Sequence, residues 1–111
     1  MATVFTSVKE IFTKMPEVFN RNAAAGLDVV IQYNIEGKDG GNWYAVIKNQ
    51  TCTVSEGVHD SPTLSLTMAD KDWMAMCKGE LDGVSAFMSG KLKAKGDIML
   101  AQHLPKLFPL R

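Results

Sequence analysis

Apolar and polar side chains alternate along the run 28–36, and a second, largely apolar run follows at 43–48. The apolar positions of the first run are Val29, Ile31, Tyr33 and Ile35. Because side chains two residues apart lie on the same face of a strand, the first run predicts a strand with one apolar face. The second run predicts the return strand. The glycine-rich segment 37–41 between the runs predicts a turn. The two runs therefore predict an antiparallel hairpin within a larger sheet.

Two further segments extend the predicted sheet. Segments 51–55 and 63–67 are preceded by turn residues and predict a third and a fourth strand. Since each strand follows the previous one through a turn, the sequence predicts a meander of hairpin-linked strands. Such a meander is mostly antiparallel.

Helical spacing flanks the predicted strands on both sides. Residues 3–25 carry an apolar stripe at three- and four-residue spacing, and Ser7 begins a capping box near the start. Pro16 removes one backbone hydrogen bond, so we expect a break there or two short helices. The apolar period becomes helical again over 70–79 and 84–88, which predicts two shorter helices.

The segment from Ala86 to Asp97 joins the end of an apolar helix to a short strand through Gly90. The lysines of this strand lie along one of its faces and are Lys91, Lys93 and Lys95. One interpretation is a solvated edge strand whose charges discourage pairing with another chain. The other is a contact surface for lipid headgroups, coenzyme A phosphates or a membrane. At about 1 kcal/mol per lysine, such contact with an anionic membrane is transient.

Four segments resemble the sterol carrier protein 2 family of lipid-binding domains: the helix from Met15, the Gly37–Tyr44 hairpin, the helix at Asp72, and Ala86–Asp97. The resemblance covers nearly the whole chain, and 111 residues fit a single domain, 1–111. It implies an α+β fold, with a five-stranded, mostly antiparallel sheet covered on one face by about four to five helices. It also implies an apolar tunnel between these two layers.

Two positions depart from the pattern of that family. Ala69 stands where a serine usually precedes a helix, and Ala94 stands where the lysine-rich strand usually has a branched residue. We expect Asp70 to cap the helix instead, or the helix start to be weaker by about 1 kcal/mol.

The resemblance implies a protein that carries lipids and is not an enzyme, with no cofactor. The expected ligands are fatty acids, fatty acyl-coenzyme A, sterols or phospholipids. Burying a chain of about sixteen carbons contributes on the order of 12 kcal/mol gross, which leaves micromolar or tighter affinity after association costs. The alternative is a lipid- or quinone-presenting accessory module that acts on a partner enzyme. The oligomeric state stays open.

We expect the tunnel to be lined by apolar side chains of the C-terminal helices and of the inner sheet face. The predicted lining residues of the C-terminal half are Trp73, Met76, Cys77, Phe87, Met88, Met99, Leu100, His103, Leu104, Leu107 and Phe108. The predicted residues opposite them are Phe12, Phe19, Ile31 and Tyr33. Flexible methionines adapt to irregular apolar partners, although the same residues also suit ordinary core packing. The segment from Ile98 onward is expected to act as the gate, because a terminal segment can lift without breaking the sheet.

Composition and spacing argue against several other functions. Twelve acidic and twelve basic residues leave no net charge, which does not fit a nucleic-acid-binding protein. His59 and His103 are the only histidines and lie far apart, so no metal site is expected. Cys77 falls on an apolar helical face, where burial makes a thiol inert. A thiol-dependent hydrolase acting through Cys77 is retained as a third alternative.

The chain shows no pattern of a targeting segment. No basic segment followed by an apolar core resembles a secretory signal, and the C-terminal tripeptide is not a peroxisomal address. No apolar run approaches the ~20 residues of a membrane-spanning helix. Two cysteines are too few for a disulfide framework. We therefore expect a reduced, cytoplasmic protein.

Overall fold

The computed structural model of the chain describes residues 7–108, except for the side chain of Pro105. The start of the predicted helix 3–25 and the C-terminal tripeptide lie outside this range. The elements are α1 (Val8–Val18), a 3₁₀ helix (Asn22–Ala24), β1 (Val29–Glu36), β2 (Gly41–Lys48), β3 (Thr51–Glu56), β4 (Leu64–Ala69), α2 (Asp70–Cys77), α3 (Gly83–Met88), β5 (Leu92–Gly96) and α4 (Ile98–Leu107). These elements confirm the predicted α+β class.

Helix α1 begins where the capping pattern predicts. The Ser7 hydroxyl oxygen accepts a hydrogen bond from the backbone N–H of Glu10 at 3.1 Å, which satisfies one of the unpaired donors of the first turn. The helix continues two residues past Pro16 and ends at Val18, before the separate 3₁₀ helix. The expected break thus lies just after the proline, because a proline in the last turn removes only one hydrogen bond of the helix.

The five strands form one sheet in the order β3-β2-β1-β4-β5. Strands β1–β3 form the predicted antiparallel meander, and β5 pairs antiparallel with β4. The prediction that β4 continues the meander is wrong. The chain instead crosses from the β3 edge to the far side of β1, where β4 pairs with β1 in parallel, with Ile31 opposite Leu64.

A buried glutamine holds the crossing segment 57–63 against the sheet. The side chain of Gln32 is 2% exposed and lies on the face opposite the helices. Its amide nitrogen donates to the carbonyl oxygens of Trp43 at 3.1 Å and Gly57 at 3.0 Å. Its amide oxygen accepts from the backbone N–H of His59 at 2.8 Å. The Gln32 side chain therefore links the crossing segment to the sheet, and both its amide nitrogen and its amide oxygen are hydrogen-bonded.

The helices lie on the other face of the sheet, which carries the alternating apolar side chains. Helix α1 lies over β3 and contacts α2, α2 lies over β1 and β4, and α4 lies over β4 and β5. Helix α3 packs beside β5, where the Ala86 carbonyl accepts from the backbone N–H of Lys91 at 2.9 Å. The predicted arrangement of one apolar sheet face covered by helices is confirmed.

Asp70 does not cap α2 as expected. The N-cap position is Ala69, which makes no side-chain hydrogen bond. The Asp70 carboxylate instead accepts from the backbone N–H of Asp39 at 3.1 Å, in the β1–β2 turn, and from that of Lys71 at 2.8 Å. Gly37 makes this contact sterically feasible, because its φ of 112° suits glycine and a Cβ there would collide with the carboxylate. Asp70 thus links the helix layer to the sheet.

Candidate functional site

Three aromatic rings stack between the helices and the sheet. The ring of Phe12 on α1 lies between the indoles of Trp43 on β2 and Trp73 on α2, with centroid separations of 4.4 Å and 5.2 Å and interplanar angles of 11° and 6°. The Tyr33 ring approaches Phe12 edge-on at 5.2 Å and Trp73 at 5.3 Å. The space between α1, α2 and the sheet is therefore filled by side chains.

This aromatic cluster (Phe12, Tyr33, Trp43 and Trp73) contains three of the predicted lining residues. All four side chains are buried, and burial raises the pKa of the Tyr33 hydroxyl. Trp43 belongs to the cluster, with its indole stacked on Phe12, although sequence reasoning did not select it. Its position on the apolar face of a predicted strand was the signal that could have found it. Within residues 7–108, the Trp73 indole nitrogen is the one fully buried side-chain polar atom without a hydrogen-bond partner.

Helix α4 carries most of the remaining predicted residues. Leu100, Leu107 and Phe108 are buried, whereas Leu104 is half-buried and His103 is exposed. These positions follow from helical spacing, because one face of α4 contacts β4 and β5 while the other faces solvent.

Both ends of α4 are attached to neighbouring elements. At its start, the backbone N–H of Asp97 donates to the Thr63 carbonyl at 3.0 Å. At its end, the Leu107 carbonyl accepts from the backbone N–H of Asn20 at 2.8 Å, and the Phe108 ring lies 5.5 Å from that of Phe19. The gate role of this segment stays a prediction, and the attachments show that a gate there would have to bend or release one end.

The other predicted lining residues on the helix-facing side belong to the core or its margin. Ile31 and Cys77 are buried, and Phe19 and Met76 are half-buried. Cys77 is 3% exposed, which fits its interpretation as a small core residue. A nucleophilic thiol needs access to its substrate, so this burial does not favour the hydrolase alternative.

Besides His103, three apolar residues predicted to line the tunnel are exposed rather than enclosed. Phe87 is 46%, Met88 79% and Met99 72% exposed. Helix α3 buries only Ala86. Its apolar stripe of Val84, Phe87 and Met88 therefore faces away from the core. Sequence reasoning treated this stripe as a buried face because spacing alone does not say which side is covered. The exposed apolar residues of α3 and α4, called here the β5-flanking surface, are Val84, Phe87, Met88, Ile98 and Met99.

The lysine-rich strand β5 lies between α3 and α4 in the chain and contacts both helices. Lys95 pairs with Ser65 and Lys93 with Thr67, which places both lysines on the sheet face opposite the helices. Lys91 precedes the strand, and all three lysines are exposed. In the part of the chain that the structure describes, the one ion pair joins Lys14 to Glu17 and involves none of them.

Two surface concavities lie away from the predicted lining residues. One, of about 190 Å³, is lined by Ser7, Val8, Asp39, Asp70, Lys71 and Met74. The other, of about 300 Å³, is lined by Gly26, Leu27, Asp28, Lys48, Asn49 and Gln50. Both are at or below the small end of ligand pockets and neither borders the aromatic cluster or α4. The interlayer tunnel therefore stays a prediction.

The family model described as the SCP-2 sterol transfer family matches residues 8–109 of this chain. The chain belongs to this family. Hydroxysteroid dehydrogenase-like protein 2 from Rattus norvegicus is 36% identical over 104 residues, which make up 93% of this chain and 20% of that protein. The chain spans about a fifth to a quarter of the length of such curated relatives.

The solved structures that this SCP-2 family member resembles include a chain of similar length and a much longer one. The palmitated SCP2L2 from Aedes aegypti is 26% identical with a TM-score of 0.68, over 91% of this chain and 93% of that one. The stereoselective inverting sec-alkylsulfatase Pisa1 from Pseudomonas sp. is 17% identical with a TM-score of 0.77, over 95% of this chain and 16% of that one. The second likeness shows the fold alone. Family membership supports lipid binding and transfer in general.

Two further observations concern other kinds of site in this SCP-2 domain. His59 lies in the crossing segment, where its Nδ1 accepts from the backbone N–H of Ser61 at 3.0 Å and its ring lies 5.3 Å from that of Tyr44.

Across residues 7–108, no three side chains of histidine, cysteine, aspartate or glutamate are grouped to hold a metal ion. Over the same residues, every helix is too short or too polar to cross a membrane. The expected compartment stays a prediction from sequence.

Proposed function

We propose that this chain binds a lipid with one long alkyl chain between α4 and the β4–β5 side of the sheet, and that it transfers this lipid unchanged. The observation that carries the proposal is the contrast between the two halves of the helix layer. Stacked rings fill the half under α1 and α2, whereas the half under α4 is packed with aliphatic side chains. Of these, Leu66, Leu92 and Leu100 are buried, and Ala94, Ala101 and Leu104 are half-buried.

The residues under α4 suit a weakly closed binding site. Ala94 on β5 and Ala101 and Leu104 on α4 are half-buried and pack against the core. Small side chains at two of these positions contribute little buried apolar area to the contact between α4 and the sheet. Among the described residues, the backbone hydrogen bonds that attach α4 to other elements lie at its two ends. Separating the middle of the helix from the sheet therefore breaks apolar contacts and leaves these hydrogen bonds in place.

The chemistry of this region favours an apolar ligand with broad tolerance. The contacts available to an alkyl chain are apolar, and one methylene more or less changes such binding by only about 1–3 kcal/mol. The palmitated state of the similar Aedes aegypti protein supports a fatty acid as the first ligand to test. Catalysis is not proposed, because the thiol of Cys77 is buried in the core.

The first experiment is native mass spectrometry of the freshly purified chain, followed by lipid extraction and titration of the delipidated chain with palmitate. We expect a bound lipid mass and saturable binding. Palmitate at 100 times its dissociation constant stabilises the folded state by about 2.7 kcal/mol. For a chain of this size, that raises Tm by roughly 10–20 °C.

A pair of neighbouring α4 variants tests the location of the site. Ala101→Phe fills the space beneath α4, whereas Gln102→Phe places the same ring on the exposed side of the helix. We expect palmitate affinity to fall at least about tenfold in the first variant, a loss of roughly 1.4 kcal/mol, and to change little in the second. Equal affinities in two folded variants would contradict this site. Leu104→Gln provides the same test if Ala101→Phe does not fold.

A second candidate function is a module that presents a lipid or quinone to an enzyme. It is favoured by the length of the relatives, since the matched segment is 20% of a rat protein named as dehydrogenase-like. Transfer of a fluorescent fatty acid between vesicles by the isolated chain supports the carrier. Turnover of a lipid or quinone by a co-purifying enzyme only in the presence of this chain supports the module instead.

A further inference from the structure

We infer that the β5 edge of this protein docks on the surface of an anionic lipid bilayer, with the β5-flanking surface inserted among the lipids and the three lysines on their phosphates. The inference deepens the proposed function, because a carrier of membrane lipids must meet a membrane. It assigns Phe87, Met88 and Met99 to a contact with the bilayer in place of an enclosed tunnel.

The exposed apolar residues belong mainly to two helices that both contact β5. Among residues 7–108, six large apolar side chains are exposed, and five of them belong to α3 and α4, the helices on either side of β5 in the chain. The sixth is Val58, in the crossing segment. Single exposed apolar residues need no explanation, but a group of them marks an interaction surface.

The charges beside this surface complement an anionic partner. Segment 82–99 contains Lys91, Lys93 and Lys95 and two aspartates. The carboxylate of Asp82 accepts from the N–H of Ser85 at 3.1 Å, and that of Asp97 accepts from the N–H of Leu100 at 3.3 Å. Both aspartates are therefore engaged at helix starts. The lysines have no ion-pair partner in the described part of the chain.

The geometry of an edge strand allows both groups to reach one bilayer. The lysines of β5 leave the sheet on the face opposite the helices, but their stems are long enough to bend around an edge and place the ammonium groups among headgroups. The apolar residues lie in the helix layer at the same edge. In this orientation α4 lies against the bilayer, so a lipid could pass beneath it without crossing water.

A bilayer fits these observations better than a protein partner. A chain that added a strand to β5 would have to align beside closely spaced positive charges, which edge strands commonly use to prevent such pairing. A fluid surface of phosphates and acyl chains accepts both the lysines and the flexible methionines without a fixed shape.

The test is co-sedimentation of the full chain with vesicles of phosphatidylcholine alone and with vesicles containing about one third phosphatidylserine. We expect binding to the anionic vesicles that weakens as salt rises. Val84 and Val58 offer a matched pair, since both are valines with 67% exposure. Val84→Ser should weaken vesicle binding about fivefold, as expected for loss of a partly inserted apolar side chain, whereas Val58→Ser should not change it.

The lysines are tested in the same way. Replacing Lys93 and Lys95 together with alanine should weaken binding about twentyfold or more, whereas replacing Lys38 and Lys48 should have little effect. Equal binding to both kinds of vesicle, no binding to either, or equal effects of the matched variants would overturn the inference. Self-association of the chain that Val84→Ser disrupts would point to a second copy instead.

Palmitate binding in solution separates the two proposals. Val84 lies outside the site proposed under α4, so Val84→Ser should bind palmitate normally while losing vesicle affinity. If the unmodified chain binds palmitate but no vesicle, docking is wrong and the binding function stands. If it binds vesicles but no palmitate, docking stands and the proposed ligand site is wrong.

Discussion

Replacing Phe12 with leucine tests whether the aromatic cluster is a packed core or a part of the lipid site. Phe12 is 2% exposed, and its ring contacts the rings of Tyr33, Trp43 and Trp73 at 5.2, 4.4 and 5.2 Å. Leucine keeps most of the buried apolar area but removes all three ring contacts. Each such contact contributes about 0.5–1.5 kcal/mol beyond burial, or roughly 1.5–4.5 kcal/mol for three. Because the contacts share one ring, we expect a loss of about 2–3 kcal/mol.

Phe19→Leu is the matched control for this substitution. Phe19 is half-buried and makes one ring contact, with Phe108 at 5.5 Å, so the same change should cost only about 0.5–1.5 kcal/mol. Free energies of unfolding from urea titrations of both variants give the comparison. Palmitate affinity, measured where both variants are folded, should change little in Phe12→Leu because the ring lies outside the space beneath α4.

Two results would refute this reasoning. If Phe12→Leu destabilised the chain no more than Phe19→Leu, the stacked arrangement would not hold the helix layer on the sheet. If Phe12→Leu kept its stability but lost palmitate binding, the aromatic cluster would line the ligand site and the location under α4 would be wrong.

The remaining predictions concern the buried indole and a partly buried thiol. Trp73→Phe removes a buried N–H that has no partner in the described residues. We therefore expect it to lower the free energy of unfolding by about 1–3 kcal/mol less than Trp43→Phe does. Equal decreases in urea titrations would contradict this. Burial raises the pKa of Cys52 from about 9 to about 11, so the neutral thiol stabilises the folded state below pH 9 and that contribution is lost as pH rises to 11. Between these pH values, the free energy of unfolding of Cys52→Ala should decrease less than that of the unmodified chain. The same pH dependence in both chains would argue against the raised pKa.

Local patterns in the sequence determined most of the secondary structure. Alternation placed β1 because a strand with one covered face needs an apolar residue at every second position, as in Ile31, Tyr33 and Ile35. The turns at 37–41 and 49–50 then placed β2 and β3. The Ser7 cap was predictable because capping is a contact between residues three apart. The resemblance of segments such as 86–97 to a known family supplied the five-stranded sheet and the helix layer, which no single period contains.

The tertiary structure decided which neighbours the elements meet and which faces stay uncovered. In the crossing that sets β4 beside β1, the Gln32 amide donates to the Gly57 carbonyl and accepts from the His59 N–H. Asp70 bonds to a turn rather than capping its own helix. Periodicity shows that one side of α3 is apolar, but a helix this short is buried only where another element covers it. In this fold α3 meets β5 through Ala86, so Met88 faces solvent, and a stripe that sequence assigns to the interior becomes an exposed surface.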